Sequence, residues 1–145
     1  MSHPPATYDD VNLILRLYEI RREDKMRAAR AWFSGNFKFK SVAEFSKACP
    51  PSSEMNAYAR QVMSHWDMVA SFVIAGVLNQ DLFFESGREL LFAWTRIEPL
   101  VGEWRALYQD PNYLKNLETV GAAFVEHLKK LSPEGYENWV KRVRG

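Results

Sequence analysis

The stretch Ser52–Gly76, SSEMNAYARQVMSHWDMVASFVIAG, decides the fold class. Met55, Tyr58, Val62, Trp66, Val69 and Val73 recur at three- and four-residue intervals, which lines them up on one face of an α-helix. Ser52 or Ser53 offers a capping oxygen to the unpaired amides at the start, and Gly76 tolerates the left-handed backbone that ends a helix. The spacing therefore predicts a long helix from the cap to about Ala75.

The same signals recur on both sides. Thr7 with Asp10 caps a first helix running from about Tyr8 to Ser34, stopped by Gly35-Asn36. Its first half is apolar almost all round and its second half is charged. Ser41-Val-Ala-Glu44 is a capping box for a short helix, Val42 to Ala48, closed by Cys49-Pro50-Pro51. Beyond Gly76, Asp81 is expected to cap a fourth helix reaching about Tyr108, with Pro99 kinking or dividing it near Glu98. Asp110-Pro111 reads as the start of a fifth helix to Lys130, and Ser132-Pro133 as the start of a short last one carrying Tyr136, Val140 and Val143. No repeat and no dividing linker interrupts this series. The expectation is one all-α domain over residues 1–145, an up-and-down helical bundle of four long helices plus two short ones, with residues 1–7 as a flexible N-terminus.

Composition narrows the function classes. Apolar residues make up 47% of the 145 and aromatics 14%, which excludes a disordered chain. Nineteen Lys and Arg against eighteen Asp and Glu leave a net charge of +1, which argues against nucleic acid as a partner. The charge is uneven, however: +3 over residues 1–50, −4 over 51–110 and +2 thereafter. One cysteine, Cys49, excludes a disulfide framework and fits a reducing cytoplasm. Residues 1–7 show neither the basic nor the apolar segment of a secretory signal. The most apolar run, Val69–Leu78, is shorter than the ~20 residues of a membrane span, so no membrane partner is expected.

Chemistry-bearing residues are sparse. No Glu-x-x-His pair occurs, and His65 flanks its helix's apolar arc while Asp67 points roughly opposite, so no metal site and no cofactor are expected. Nucleophile elbows and phosphate-binding loops are missing too, which leaves no catalytic residue to name. Phe37-Lys-Phe-Lys40 could stack bases or simply anchor its rings under the bundle.

Two features remain. Arg21 and Lys25 project within roughly 20° of the first helix's apolar stripe, where a charge needs a partner. Either their stems pair with Glu85, Glu89 or Glu98, or they line an anion pocket between helices one, three and four. Arg21, Lys25, His65 and Arg96 would then hold the ligand, with Trp66 and Trp94 as apolar wall. Meanwhile Leu13 and Ile20 on helix one, and Phe84, Leu91 and Phe92 on helix four, fall off the main stripes. Either the last helices cover them, or they form the face of a homodimer.

The segments Ala59-Arg-Gln-Val-Met-Ser-His-Trp-Asp-Met-Val-Ala70, Gly76-Val-Leu-Asn-Gln-Asp-Leu82 and Trp94-Thr-Arg-Ile-Glu-Pro-Leu100 resemble a bacterial family of small all-helical proteins catalogued as a domain of unknown function. The family pattern is an aromatic-acidic pair with small residues, a Gly-aliphatic stop, and an aspartate-capped helix ending in Trp, Arg/Glu and Pro. Trp66-Asp67, Ala70, Gly76-Val77-Leu78, Asp81, Trp94, Arg96 and Glu98-Pro99 carry it here. Similar members often begin with a membrane helix, which is not expected in this chain. The resemblance implies an all-helical fold and no established activity. Together these readings point to a cytoplasmic interaction or regulatory module that self-associates as a homodimer, or alternatively to a binder of a small anionic ligand.

Overall fold

The computed structural model describes residues 4–145; His3 and the start of the expected flexible segment lie outside the described residues. Eight helices and no strand occur among them: α1 (Tyr8–Arg21), α2 (Asp24–Asn36), α3 (Val42–Ala48), α4 (Glu54–Ile74), α5 (Gln80–Ser86), α6 (Arg88–Tyr108), α7 (Lys115–Leu131) and α8 (Pro133–Arg144). Ends coded by neighbouring residues fall where the sequence puts them. The Thr7 amide and hydroxyl both donate to the Asp10 carboxylate, at 2.7 and 3.2 Å. Ser41, Ser53 and Ser132 accept from the amides of Glu44, Asn56 and Gly135. Gly76 adopts φ +79° at the stop after α4. Residue 4 is tied in as well, since the Asn79 side chain donates to the Pro4 carbonyl at 2.7 Å.

Four expected boundaries are corrected, each for a physical reason. The first helix is two, because Glu23 turns extended and its carboxylate accepts from the Met26 amide, capping α2. The fourth helix is also two, and Asn79 rather than Asp81 caps its first part. Its division falls at Gly87, where the Phe83 ring fills the place of a Cβ. Pro99 does not break α6. Its missing N–H deprives the Thr95 carbonyl of a helical donor, and Arg144 Nε donates there instead at 3.1 Å. Finally, Asp110 accepts from Asn112 in a tight turn and Leu114 is left-handed (φ 56°), so α7 begins only at Lys115. Its cap comes from another helix: Asp67 of α4 accepts from the Leu117 amide at 2.9 Å.

α4 lies centrally between α2 and α7, while α6 packs on α7, α8 and α4. Trp66, Trp94 and Trp104 are buried among Val62, Val69, Leu90, Ile97 and Leu117. Phe37 is fully buried and stacks on Phe33 at 4.6 Å, and Phe39 meets Phe37 edge-on, so the connector's rings are anchored and Lys38 and Lys40 face outward.

The apolar residues left off the main stripe of the fourth helix are also absorbed. Leu91 is fully buried with Phe124 and Leu128. Phe84 stacks on Phe124 at 4.2 Å and Phe92 packs edge-on against Phe33. Leu13 is half-buried against the core; only Ile20 of the expected dimer face is exposed. That face is therefore largely interior: α7 covers Phe84 and Leu91, while Phe92 packs on α2.

At the α6–α7 contact, the Trp94 indole occupies the place a Cβ would take at Gly121, with Cγ 2.7 Å from it. Gly121→Ala is expected to lower stability by about 1–2 kcal/mol, since the overpacking cost exceeds the gain in helix propensity. Gly102, with open space around it in α6, should instead gain up to about 1 kcal/mol as Ala. Urea denaturation of both variants checks the pair; equal shifts would contradict it.

Candidate functional site

α2, α4, α6 and α8 meet around a cleft of about 320 Å³. Its walls are Phe33, Val62, Trp66, Phe92 and Trp139, and Arg30, Arg88 and Glu89 carry its charge. Phe33 and Arg30 share a face of α2 because they lie three residues apart, and the α6 start delivers Arg88 and Glu89 together. Trp139 arrives from α8, opposite them. A wider, open hollow of about 710 Å³ beside the α7 start has a mixed lining in which Arg60, Asp67 and Asp110 carry the charge, Met63, Met68 and Leu114 are apolar, and Tyr113 is the aromatic side chain. An adjoining one, lined by Asp24 and Arg27, shares Arg30, Ser34 and Glu89 with the cleft.

Glu89 is held between two guanidinium groups. Arg30 Nε donates to both its oxygens at 3.0 and 3.1 Å, and Arg21 Nε lies 3.1 Å from Oε2, misaligned for a hydrogen bond. Arg21 also caps the Tyr18 ring at 4.5 Å. Arg88 is exposed at the mouth and, among the described residues, forms no ion pair. Two guanidinium groups thus hold the one carboxylate and Arg88 adds a third positive charge at the mouth, a surplus of positive charge beside aromatic walls.

Behind the cleft sit two further buried donors or acceptors without partners, His65 Nε2 and Trp66 Nε1. Their rings pack edge-on at 4.8 Å. Burial pushes the His65 pKa down to about 4; Glu89 opposes the shift, and Arg21 and Arg30 add to it. His65 is therefore neutral at pH 7. A small void of about 20 Å³ between Arg21, Trp66 and Gly87 is just large enough for a water molecule.

The expected pocket residues separate. Trp66 lines the cleft. Arg21 and His65 lie behind it, coupled through Glu89. Lys25 is exposed on the first turn of α2 and faces none of this. Trp94 is buried against Gly121 on the far side of α6. Arg96 is committed elsewhere: its Nε donates to the Val143 carbonyl and its Nη1 to those of Phe33 and Ser34. Glu89 was among the acidic partners expected for Arg21, whereas Arg30, Arg88 and Trp139 were not singled out from the sequence. The charged second half of the first helix was a signal for Arg30; nothing local marks Trp139.

Burial pushes the Cys49 thiol up, which keeps it protonated. Among the described residues no group of three His, Cys, Asp or Glu is placed to hold a metal, and no helix is long and apolar enough to cross a membrane. A family model described as a domain of unknown function, DUF4760, matches residues 6–124. No curated protein and no solved structure matches the chain. The matched residues include α1 to α6 and most of α7; α8, with Trp139, lies beyond them.

Proposed function

We infer that this chain, which belongs to the DUF4760 family, binds a small anionic molecule with an aromatic or apolar body in the cleft between α2, α4, α6 and α8. One observation carries the reading: four aromatic side chains and a surplus of guanidinium groups bound the same 320 Å³. That volume lies at the small end of the ~300–1,000 Å³ typical of ligand pockets. The apolar body would sit between Phe92, Phe33 and Trp139. The acid group would meet Arg88, the guanidinium free of an internal carboxylate, and Arg30 at its edge.

Binding fits these groups better than catalysis. Glu89 is locked between two cations, and His65 is neutral and buried without a partner for its Nε2. His65 is not poised to take a proton from a ligand near neutral pH. A cytoplasmic location belongs to the same reading and rests on the single thiol, Cys49.

The probe is 8-anilinonaphthalene-1-sulfonate, an aromatic anion whose fluorescence rises in apolar sites. We expect one saturable site per chain. Arg88→Ala should weaken it about tenfold, the worth of one charge-assisted hydrogen bond of about 1.5 kcal/mol. Trp139→Ala should remove most of the signal, with near-ultraviolet circular dichroism unchanged in both variants. Equal affinity in the wild type and Arg88→Ala would sink the reading.

A further inference from the structure

Arg21 and Arg30 share the single carboxylate of Glu89, so this trio keeps one net positive charge. Arg88 at the mouth adds a second, since among the described residues it forms no ion pair. His65 behind them is neutral at pH 7, and in the adjoining hollow Asp24 and Arg27 cancel. A singly charged acid in the cleft would leave half of this surplus uncompensated.

The donors left over point the same way. Arg30 gives Nε to Glu89 and one Nη1 hydrogen to the Arg21 carbonyl at 3.4 Å, and its Nη2 lies 2.8 Å from Glu89 Oε1. A guanidinium carries five N–H groups, so Arg30 keeps two and Arg88 keeps all of its own. Ser34 lies one turn beyond Arg30 on the same face of α2. It lines the cleft and the adjoining hollow alike, and its hydroxyl is exposed. Three donor residues, from α2 and α6, therefore border the open side of the aromatic walls. A carboxylate has only two oxygens to offer them.

We propose that the ligand of the cleft is the phosphate monoester of a small aromatic molecule, with its ring between Phe33, Phe92 and Trp139 and its phosphate on Arg88, Arg30 and Ser34. The proposal rests on the cleft reading above and names the acid group that the cleft takes. A phosphate monoester carries close to two negative charges at pH 7 and three strong acceptor oxygens, which matches both the charge and the donor set. Arginine forks suit such oxygens geometrically as well. The hollow of about 550 Å³ beyond Arg30 and Ser34 gives the tetrahedral group room outside the ring's enclosure.

Calorimetric titration of the full chain at pH 8 with 1-naphthyl phosphate and 1-naphthyl sulfate tests this, because the esters share ring and shape and differ by one charge. The phosphate should bind about tenfold tighter, the gain of one charge-assisted hydrogen bond. Arg88→Gln removes one of the two net charges and should shrink that preference to about twofold. Ser34→Ala should weaken both esters about threefold. Both positions are exposed, so melting temperatures should match the wild type. Adenosine 5′-monophosphate, whose phosphate stands a ribose away from its ring, separates two sources of the same chemistry: tighter binding than naphthyl phosphate assigns a nucleotide, weaker binding an aryl phosphate, and either upholds the dianion. Sulfate held through Arg88 with the phosphate no tighter would overturn the inference and leave the cleft reading standing. Binding of neither ester would overturn both. A phosphate preference unchanged in Arg88→Gln, or full affinity in Ser34→Ala, would overturn the placement of the phosphate.

Discussion

Arg96→Met is expected to cost about 3–5 kcal/mol of stability, the range found when one member of a buried charged network is removed. Arg96 is only 6% exposed and, among the described residues, has no carboxylate partner. Burial depresses its pKa, a sign of the desolvation it bears. What offsets that cost is a set of three carbonyls: Val143 at 3.0 Å, Phe33 at 2.8 Å and Ser34 at 2.6 Å. All three belong to the last turns of helices, α8 for the first and α2 for the others, where the peptide dipoles place their negative ends. The guanidinium carbon also lies 4.3 Å from the Phe92 ring centre. One side chain of α6 thus ties together the ends of two helices that are far apart in sequence.

Methionine fills the same volume but donates nothing, leaving those carbonyls short of their donors at about 1–3 kcal/mol for each one buried. The melting temperature should fall by about 10 °C, at 2–4 °C per kcal/mol for a domain of this size. Arg96→Lys should recover less than half, because a point charge cannot reach carbonyls of two helices at once. A denaturation midpoint within 1 kcal/mol of wild type would mean that α8 docks without this tie. Phe33 and Phe92 also wall the cleft, so the tie holds the aromatic surfaces in register.

The contrast between Arg96 and Arg21 shows what could be read from residue order. Periodicity places a side chain on a face of its own helix, and on that ground Arg21 was expected either to meet an acidic partner or to line a pocket, with Arg96 grouped beside it as a ligand for the same anion. It does not say how the neighbouring helix is rotated. Arg21 met Glu89, one of three acidic partners that its position allowed. Arg96 met main-chain carbonyls, which have no signature in sequence at all. The same division runs through the fold. Caps made by residues three apart, at Thr7, Ser41, Ser53 and Ser132, were legible because donor and acceptor are neighbours in the chain. The start of α7 was not, because its cap is Asp67, fifty residues away. Nor was the continuity of α6 across Pro99, since Arg144 rescues the orphaned carbonyl from the last helix. The cleft draws on four helices, so of the expected set only Trp66 lines it.

The second large effect is with pH, and it isolates His65. In the unfolded chain this side chain takes up a proton as the pH falls through its ordinary value of 6.5. In the folded protein burial holds it neutral down to about 4. Between those values the unfolded state binds more protons, so stability falls as the pH falls. The His65 contribution is fully present above pH 6.5, declines through the interval and levels off below about 4. Some two and a half pH units at 1.36 kcal/mol each amount to about 3 kcal/mol.

His65→Gln keeps a polar side chain there but cannot titrate. Urea midpoints of the two proteins should therefore run level above pH 7 and separate steadily to pH 4, the wild type losing more. Asp10 does not confuse the comparison. The amides of Thr7 and Asn79 hold its carboxyl below the usual range, so its contribution persists until the pH drops beneath that of an ordinary aspartate and is common to both proteins. Curves that stay parallel from pH 7 to 4 would show that protonated His65 finds a partner in the fold, with Glu89, among the described residues, the carboxylate that acts on it there. In that case Glu89 would exchange one of its two arginines for the imidazolium, and the cleft would become more cationic in acid. Separation of the curves means instead that His65 adds no charge there, and that the arginines and Glu89 set the charge of the cleft across the neutral range.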